Sequence, residues 1–482
     1  MSTLAARTPG RPAPSPDSAP DAAPRIVIVG AGPAGVRAAQ AVVSAGLRPT
    51  VVDEGQRDGG QIYRRQPEGF QRPYAKLYGA EASKAESLHK DFAALRAHID
   101  YRSDTLAWNV TAGELHVVRA GEPDTLPYDA LLLCPGATDR LMPVPGWQHA
   151  GCYSLGAAQI ALKAQACAIG SQVVFLGSGP LLYLVASQYV QAGARVAVVL
   201  DTAPAVKSWK ALSGMLARPL LALRGLGLIR SLRAAGVPVL QGVTPLNIEG
   251  DSVQGVQAVT VRTDRDLERR FECDAVGLGW HLRAETQLAD MARCDFYFEP
   301  ITRQWLPRID ADGRSSTRGV YLAGDGTRIL GADGAEAAGR LAALAALADL
   351  DHAAGQAAHL QQAPALRDQL ARLDRFRQGL AHAFPWPHAQ AAALPDTAVV
   401  CRCESVTVGE LRRCVTELDS QELNRAKAFS RVGMGRCQGR FCGHAAAEIV
   451  AQACGIQVEQ VGRLRSLAPV KPLMMNTREV QA

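Results

Sequence analysis

Four cysteines near the carboxyl end of the chain have the spacing of a metal-cluster site. Cys401 and Cys403 form a C-x-C pair, and Cys437 and Cys442 form a C-x-x-x-x-C pair after a spacer of residues 404–436. Two close pairs from separate segments bring four thiolates to one place, which is the ligand set of iron-sulfur clusters and of structural zinc. We therefore predict that all four cysteines are metal ligands.

The residues around the second pair favour iron over zinc. The segment 431–443 reads Arg-Val-Gly-Met-Gly-Arg-Cys-Gln-Gly-Arg-Phe-Cys-Gly. Its glycines allow backbone amides to approach sulfur, and its arginines offset the negative charge of a thiolate-ligated cluster. Zinc fingers usually carry C-x-x-C knuckles instead. The prediction is a 2Fe-2S cluster, with zinc as the alternative, and Cys414 and Cys454 are expected to be core residues.

A glycine-rich turn near the amino terminus predicts a dinucleotide site. An apolar strand, 25–30, runs into Gly-Ala-Gly-Pro-Ala-Gly and then into a helix through position 45. The first glycine permits the tight turn, the second lets the backbone approach a pyrophosphate, and the third allows close helix packing. A second strand ends in two acids that are placed to accept hydrogen bonds from a ribose. The predicted binding residues are Gly30, Gly32, Pro33, Ala34, Gly35, Asp53 and Glu54.

Three later motifs favour FAD as the dinucleotide. Residues 59–62, Gly-Gly-Gln-Ile, resemble the loop that passes the flavin in two-dinucleotide-binding-domain flavoproteins, and 317–325 resembles their second FAD motif. The turn after strand 131–134 resembles their return from the first insertion. The resemblance implies that Asp325 bonds the ribitol chain, while a helix over 334–347 points its amino terminus at the flavin. The residues added to the predicted site are Gly60, Gln61, Gly136, Gly324 and Asp325.

The strand and turn pattern occurs a second time in the chain. A strand runs into Gly177-Ser-Gly-Pro-Leu-Leu182, and a later strand ends at Asp201, so the sequence contains an internal duplication. Leu182 replaces the third glycine and is expected to hold the helix further from the strand. Asp201 would favour a free ribose 2′-hydroxyl, so a ligand here would be NAD or another adenosine nucleotide rather than NADP. A retained scaffold without a ligand is the alternative.

Length and composition fit a globular protein of about three domains. The chain has 482 residues, 48% hydrophobic and 20% charged, and its net charge of +6 comes with only 5% aromatics, so a nucleic-acid surface is not indicated. The 11 cysteines do not form the framework of a small secreted module, which favours a cytoplasmic location. Apolar stretches are too short for a transmembrane segment.

The motifs and helix signals together predict an α/β fold. Leucines at three- and four-residue spacing predict a helix over 363–383, Thr407 and Glu410 form a capping box, and a further helix covers 445–452. A basic, leucine-rich stretch over 205–235 is helical, and it is either a solvated face or a docking surface for a partner or an anionic inner membrane. The predicted division is a disordered leader (1–24), a Rossmann-like FAD domain (25–140 and 275–350), an inserted NAD-like Rossmann domain (141–274), a helical connector and linker (351–396) and a 2Fe-2S domain (397–482).

With these motifs in view, the chain resembles the FAD- and 2Fe-2S-containing alpha subunit of bacterial amine dehydrogenases that are built from several subunits. This family includes opine oxidases, D-hydroxyproline dehydrogenase and the hydrogen cyanide synthase B subunit. The most specific element is the segment 433–442 together with the upstream Cys-Arg-Cys-Glu at 401–404, which resembles a bacterioferritin-associated-ferredoxin-type domain. The stretch Gly-Trp-His-Leu at 279–282 departs from the family, where a smaller glycine-rich stretch is usual.

The resemblance implies a division of labour between subunits. A beta flavoprotein subunit of the glycine/D-amino-acid-oxidase type takes a hydride from the carbon beside an opine, D-amino acid or related amine. Electrons then pass to the FAD and cluster of this chain, with a further flavin at the subunit interface left open, and onward to a quinone or another acceptor. A flavin accepts two electrons and a cluster moves one, so the chemistry lies with cofactors and no catalytic side chain is assigned. The alternatives are an NAD(P)H-dependent reductase of a ferredoxin-like partner and a non-catalytic assembly or iron-handling protein.

Overall fold

The structure is a computed structural model that describes residues 23–206 and 208–474. All of the predicted leader except residues 23 and 24 lies outside the described residues. In chain order the strands are β1 (Ile26–Val29), β2 (Thr50–Val52), β3 (Asp100–Arg102), β4 (Thr105–Thr111), β5 (Glu114–Arg119), β6 (Glu122–Pro127), β7 (Ala130–Leu133), β8 (Ala137–Asp139), β9 (Cys152–Ser154), β10 (Gln172–Ser178), β11 (Arg195–Asp201), β12 (Val239–Gln241), β13 (Thr244–Asp251), β14 (Gly255–Arg262), β15 (Glu268–Glu272), β16 (Ala275–Trp280), β17 (Leu282–Ala284), β18 (Phe296–Glu299), β19 (Gln304–Pro307), β20 (Val320–Leu322), β21 (Val399–Cys401) and β22 (Val406–Thr407).

The helices alternate with these strands over most of the chain, as an α/β protein requires. They are α1 (Pro33–Ser44), α2 (Tyr74–Tyr78), α3 (Ala82–Leu95), α4 (Leu155–Ala164), α5 (Pro180–Gln191), α6 (Trp209–Met215), α7 (Pro219–Ala234), α8 (Gln287–Met291), α9 (Gly331–Asp349), α10 (Ala353–Ala383), α11 (His388–Ala392), α12 (Val408–Thr416), α13 (Leu423–Ser430), α14 (Gly443–Cys454) and α15 (Val458–Val461), with 3-10 turns at Gly79–Glu81, Arg96–His98 and Gly324–Gly326.

The first sheet carries the amino-terminal turn. Its strands run in the order β20-β7-β1-β2-β3, and every pairing is parallel. Ile26 and Ile28 of β1 pack on the helical side with α1 and α9, whereas Val27 and Val29 pack against the antiparallel sheet β4-β5-β6. Because both faces of the sheet are covered, its strands are continuous apolar runs rather than alternating ones.

The second sheet repeats this arrangement within the insertion. Its order is β12-β11-β10-β16-β9, again with parallel pairings, and the sheet β13-β14-β15 covers one face. Val173 and Phe175 of β10 pack with helices α4 and α5 on the other face. Two parallel sheets of one design confirm the predicted α/β class and the duplication.

The connector is longer and better packed than the leucine spacing suggests. Helix α10 begins at Ala353, ten residues before the predicted start at 363, and it continues through Pro364. A proline removes only one backbone donor, and contacts with α9 along its length offset that loss. After the helix, the predicted linker is packed against the core, since Trp386, Ala391 and Leu394 are all buried.

The remaining helix predictions agree with the structure in type and approximate bounds. The capping box of Thr407 and Glu410 is confirmed at the start of α12, and α9 and α14 extend the predicted 334–347 and 445–452 at both ends. The basic stretch 205–235 forms α6 and α7, which meet at a bend of 115°. Among the described residues, no single helix is long and apolar enough to cross a membrane, and only this bent pair passes by length and composition.

Candidate functional site

The turn between β1 and α1 is shaped to receive phosphate groups. Gly30 has a φ of +103°, and a β-carbon on Gly35 would lie 1.7 Å from the carbonyl oxygen of Gly30, so only glycine fits at the third position. Gly32 is the N-cap of α1, and no side chain caps the helix there. Uncapped amides at a helix amino terminus attract anions. Pro33 and Ala34 form the first turn of the helix and are buried. The residues present fit a pyrophosphate.

The two predicted ribose acids have different partners. Asp53 is half-buried and accepts hydrogen bonds from the backbone amides of Ala31 and Gly55, the second at 2.6 Å. Burial raises the pKa of Asp53, and the two amides oppose that shift. Glu54 is exposed and pairs with Lys471, which belongs to the carboxyl-terminal segment. The carboxylate of Asp53 therefore fixes the turn through two backbone amides, whereas Glu54 forms an ion pair with the carboxyl-terminal segment.

The flavin loop and the second FAD motif meet this turn. The amide of Gly59 donates to Ala31 at 2.9 Å, and a β-carbon on Gly60 would lie 2.9 Å from the α-carbon of Gly32, so backbone passes directly over backbone. Gln61, the next predicted residue, is exposed and accepts from Arg64. A β-carbon on Gly324 would lie 2.9 Å from that of Ala34.

Asp325 lies at the amino end of α9. Its carboxylate accepts from the amides of Leu330 and Gly331 at 2.8 and 3.0 Å, and burial raises its pKa to about 6. At neutral pH the group is an acceptor that a polyol hydroxyl would satisfy. Gly339, a residue not predicted, lets α9 cross α1 closely, because a β-carbon there would lie 2.0 Å from the carbonyl oxygen of Ala34.

The four predicted cysteine ligands converge in the carboxyl-terminal part. Cys401 ends β21 and Cys442 is the N-cap of α14, and both are buried. Thiol contacts join Cys401 to Cys442, Cys442 to Cys437, and Cys437 to Cys403. The loop before the second pair packs on the first pair, since a β-carbon on Gly435 would lie 2.3 Å from that of Cys403.

Backbone amides surround the sulfurs, as the glycine-rich loop predicts. Cys401 receives amides from Gly433, Glu404 and Cys403, and Cys437 receives amides from Phe441 and Gly439. The hydrogen bond from Cys442, followed by these amides, lowers the pKa of Cys401 to about 6 and that of Cys437 to about 5. Thiolates at neutral pH are what a metal cluster requires. In contrast, bonds to Cys401 and Cys437 keep the pKa of Cys442 above its usual value.

The four thiols follow one another in a row of pairwise contacts, so the predicted ligand set of an iron-sulfur cluster or of zinc is brought together. Within the described residues, no group of three His, Cys, Asp or Glu side chains has the arrangement that would hold a single metal ion. Lys427, which was not predicted, is buried near enough to Cys442 for the two charges to interact.

A buried ion pair joins the cysteine loop to the turn that follows β7 of the first sheet. The Arg440 guanidinium donates to Glu285 at 2.8 and 3.2 Å, and both side chains are buried. The amide of Glu285 in turn donates to the carbonyl of Gly136 at 3.0 Å. Gln287 adds a bond to the carbonyl of Gln438 at 2.8 Å. Arg440, one of the arginines that were expected to offset cluster charge, also holds the loop beside a predicted flavin residue.

Two further clamps fix the carboxyl-terminal part in place. Arg303 makes a bidentate pair with the buried Glu448 at 2.8 and 2.6 Å. Arg463 makes another with Asp290, at 2.7 Å for both bonds, and stacks on Phe296. Planar bidentate pairs resist rotation, so the position of the cysteine loop relative to the first sheet is well defined.

The second nucleotide turn is occupied by side chains of the chain itself. The ring of His281 lies over Gly179, where a β-carbon would come within 3.1 Å of it. His281 donates to the carbonyl of Phe384 at 2.8 Å, and burial lowers the pKa of His281 to about 4. Tyr183 donates to the buried Asp201 at 2.5 Å. The expected ribose acid is therefore engaged internally, and His281 has a packing role.

Comparisons with known proteins agree with both halves of this site. A family model described as pyridine nucleotide-disulphide oxidoreductase matches residues 24–340, and one described as BFD-like [2Fe-2S] binding domain matches residues 399–452. The A subunit of opine oxidase from Agrobacterium tumefaciens (strain Ach5) is 37% identical, covering 93% of this chain and 90% of that protein. The chain belongs to the family of opine oxidase A subunits. Hydrogen cyanide synthase subunit HcnB of Pseudomonas protegens is 32% identical over 93% of this chain and 96% of that protein.

A solved structure has a similar fold over nearly the whole of this member of the opine oxidase family. The crystal structure of L-proline dehydrogenase from P. horikoshii has a TM-score of 0.67 at 18% identity, covering 94% of this chain and 78% of that chain. The two family models confirm FAD and a 2Fe-2S cluster as the cofactors, and the chain is an FAD-dependent oxidoreductase. The residues that were not predicted, Glu285, Gly339 and Lys427, lie in ordinary strand-end or helical segments without a motif.

Proposed function

We propose that this chain is the electron-relaying subunit of a multi-subunit dehydrogenase that oxidises an opine, a D-amino acid or a related amine. The proposed partner is a beta flavoprotein subunit of the glycine/D-amino-acid-oxidase type, which takes the hydride from the substrate. This chain passes the electrons on to a quinone or another acceptor. When bound, FAD accepts electron pairs and the 2Fe-2S cluster transfers single electrons, so the two together convert one into the other.

The contact between Arg440 and Glu285 carries this proposal. It joins the loop of Cys437 and Cys442 to Gly136, and the carbonyl of Glu285 also lies 3.4 Å from the β-carbon position of Gly326, directly after the second FAD motif. A short run of bonded and hydrogen-bonded atoms thus connects the proposed cluster ligands with the proposed flavin residues. These side chains would hold the residues of the two cofactors in a fixed relative position, and electron transfer between the cofactors would need no proton-transfer group.

The relatives support the division between subunits and the class of substrate. The opine oxidase and hydrogen cyanide synthase proteins are both named as subunits, and both cover almost the full length of this chain. A substrate pocket on a partner chain accounts for the lack of an assigned catalytic residue here. We extend the amine chemistry of the opine oxidases to this chain on that basis.

The proposal is tested by reconstitution. The chain is purified alone and together with its partner flavoprotein subunit, and the reduction of an artificial dye is followed with opines and D-amino acids. We expect amine-dependent reduction by the complex, and flavin and iron but no amine oxidation by the isolated chain. Amine turnover by the isolated chain would overturn the two-subunit proposal.

Cysteine variants test the proposed ligands separately. Cys437→Ser should lose iron and the paramagnetic signal of the dithionite-reduced cluster, while FAD content stays at the wild-type level. Cys454→Ser is the matched control, because Cys454 lies at the far end of α14 from Cys442. Retention of iron by the Cys437 variant, or stoichiometric zinc in anaerobically prepared wild type, would refute the assignment.

The NAD(P)H-dependent reductase alternative has a direct test. The contacts of His281, Phe384 and Tyr183 argue against a nicotinamide nucleotide at the second turn. In anaerobic titration, dithionite should bleach the flavin and NADH or NADPH should not. Bleaching by either nucleotide at stoichiometric concentration would favour the alternative.

A further inference from the structure

Helices α6 and α7 present an apolar ridge to solvent. The ridge consists of Trp209, Leu212, Leu216, Leu220 and Leu223, and these side chains are between 56% and 75% exposed. Trp209 and Leu212 are three residues apart on α6, and Leu220 and Leu223 are three apart on α7, so each pair lies on one side of its own helix, with Leu216 at the bend between them. Among the described residues, eight of the 20 large exposed hydrophobic side chains fall in the segment 206–226. Scattered surface leucines need no explanation, whereas a contiguous row marks a binding surface.

Both helices are fixed to the body of the protein. Gly214 meets Gly379 of α10 so closely that a β-carbon on Gly214 would lie 2.5 Å from the α-carbon of Gly379. Arg218 pairs with Asp333 at 3.2 Å, and Arg224 pairs with Glu81 at 3.4 Å. The ridge is therefore the outer face of a docked helix pair, and its exposure does not come from a detached segment.

The surroundings of the ridge are strongly basic. The sequence from 202 to 248 contains six lysines and arginines and no aspartate or glutamate. Beside the ridge, between α6 and α10, lies a cavity of about 460 Å³ whose lining includes the cations Lys210, Arg372 and Arg375 and the imidazole of His382. Arg372 and Arg375 form no salt bridge within the described part of the chain. An anion would complement this cavity.

We propose that the ridge and the cavity together bind an anionic lipid bilayer. The leucines and Trp209 enter the boundary between headgroups and acyl chains, and Lys210, Arg372 and Arg375 receive a headgroup phosphate. Apolar residues bordered by lysine and arginine are the composition of helices that lie in the interface plane. Helix α7 has 16 residues, about 24 Å, which is shorter than the hydrocarbon core of about 30 Å, and the bend of 115° prevents a straight span.

A bilayer suits this surface better than a protein partner does. Arg218 and Arg224 are paired with acids of the body, but the segment 202–248 itself contains no acid, and the lining of the neighbouring cavity adds Lys210, Arg372 and Arg375. Cations without acids of their own segment match a uniformly anionic surface. The inference goes beyond the proposed function, since lipid binding does not depend on which amine is oxidised. Binding of a bilayer would place the chain beside the hydrocarbon phase in which a lipid-soluble electron acceptor is dissolved.

Vesicle flotation tests the proposal with the flavin- and cluster-loaded full chain. We expect the protein to float with vesicles of phosphatidylcholine and phosphatidylglycerol, and to remain in the dense fraction with phosphatidylcholine alone. Added salt should weaken binding, because it screens the attraction to the anionic surface. Equal flotation with both vesicle types, or with neither, would overturn the proposal.

Two variants separate the apolar and the charged contributions. Leu220→Glu/Leu223→Glu should reduce the partition coefficient by at least about tenfold, and Arg372→Gln/Arg375→Gln should reduce binding to anionic vesicles alone. Val253→Glu is the matched control, because Val253 is 91% exposed outside the ridge. Unchanged flotation of the double leucine variant would overturn the proposal. The proposal would also be overturned if the partner subunit covered the ridge. In that case the ridge variants would break the complex and leave the flotation of the isolated chain unaltered.

Discussion

Residues 26–44 and 172–191 share one backbone pattern and differ in what they leave accessible. In the first unit, Gly35 lets α1 approach β1, and the amides at Gly32 have no side-chain cap. In the second unit, Leu182 is fully buried at the position that corresponds to Gly35. A helix that accommodates a leucine there cannot lie as close to its strand as α1 does.

The two units also differ in the use of their acids and of the space over the turn. Asp53 accepts from the amides of Ala31 and Gly55, whereas Asp201 accepts from the amide of Ala203 and also from the hydroxyl of Tyr183. His281 and Phe384 cover the second turn, and Phe384 comes from a segment far along the chain. A duplicated fold thus keeps its sheet and helices after its crevice has been filled, because packing alone is enough to preserve them.

The largest expected effect comes from breaking the close approach in the first unit. Gly35→Val would place side-chain atoms inside the carbonyl of Gly30, so FAD content should fall below about a tenth of the wild-type stoichiometry. FAD is measured by absorbance after release, and iron is measured in parallel to show that the carboxyl-terminal part still folds. Gly225→Ala, in open space on α7, is the control and should keep full FAD.

The corresponding position of the second unit should respond through stability instead. Leu182→Ala leaves a cavity in a buried core, so the free energy of unfolding should fall by about 2–5 kcal/mol while FAD content is unchanged. Urea denaturation followed by tryptophan fluorescence measures the loss. Leu184→Ala on the same helix, where the side chain is 37% exposed, should change it by no more than about 0.5 kcal/mol. Loss of FAD in the Leu182 variant would contradict the distinction between the two units.

A smaller effect is expected at Asp201, whose carboxylate is hydrogen-bonded within the protein. Tyr183→Phe removes a hydrogen bond to the buried carboxylate of Asp201 and should cost about 1–3 kcal/mol. Tyr189→Phe is the matched control, since Tyr189 is equally buried but donates to a neutral carbonyl, that of Ala158. We expect the Tyr183 variant to be the less stable of the two in urea. The reverse order would show that Asp201 does not depend on Tyr183.

The smallest effect is a pH dependence of the covered turn. Burial, assisted by Arg140, lowers the pKa of His281 from 6.5 to about 4, so the folded protein binds fewer protons than the unfolded chain in that interval. The contribution of the neutral His281 ring to the free energy of unfolding is fully present above pH 6.5 and is lost as the pH falls towards 4. His281→Asn, which tolerates the φ of +61°, should have a shallower fall in Tm than wild type over this range. His98→Asn, at an exposed site, should match wild type.

Local signals were sufficient for the parts of the site that lie within one segment. The glycine turn at Gly30 to Gly35, the capping box at Thr407 and the two cysteine pairs each have a fixed spacing with a physical cause, so each was predictable. The start of α10 was not, because the leucine spacing supports a helix only from 363, whereas the helix begins at Ala353 and packs on α9. The burial of the segment after α10 was not predictable either, because it depends on the contact of Trp386 with Arg140, which lies far away along the chain.

Sequence alone determined the two parallel-sheet units, the FAD motifs and the cysteine quartet, since each depends on residue types at short range. Only the tertiary structure decided which nucleotide turn is covered by side chains and how the cysteine loop meets the predicted flavin residues. His281 lies 102 residues from Gly179, and Glu285 lies 155 residues from Arg440. Contacts over such separations depend on how the sheets and helices pack, and no spacing along the chain specifies them.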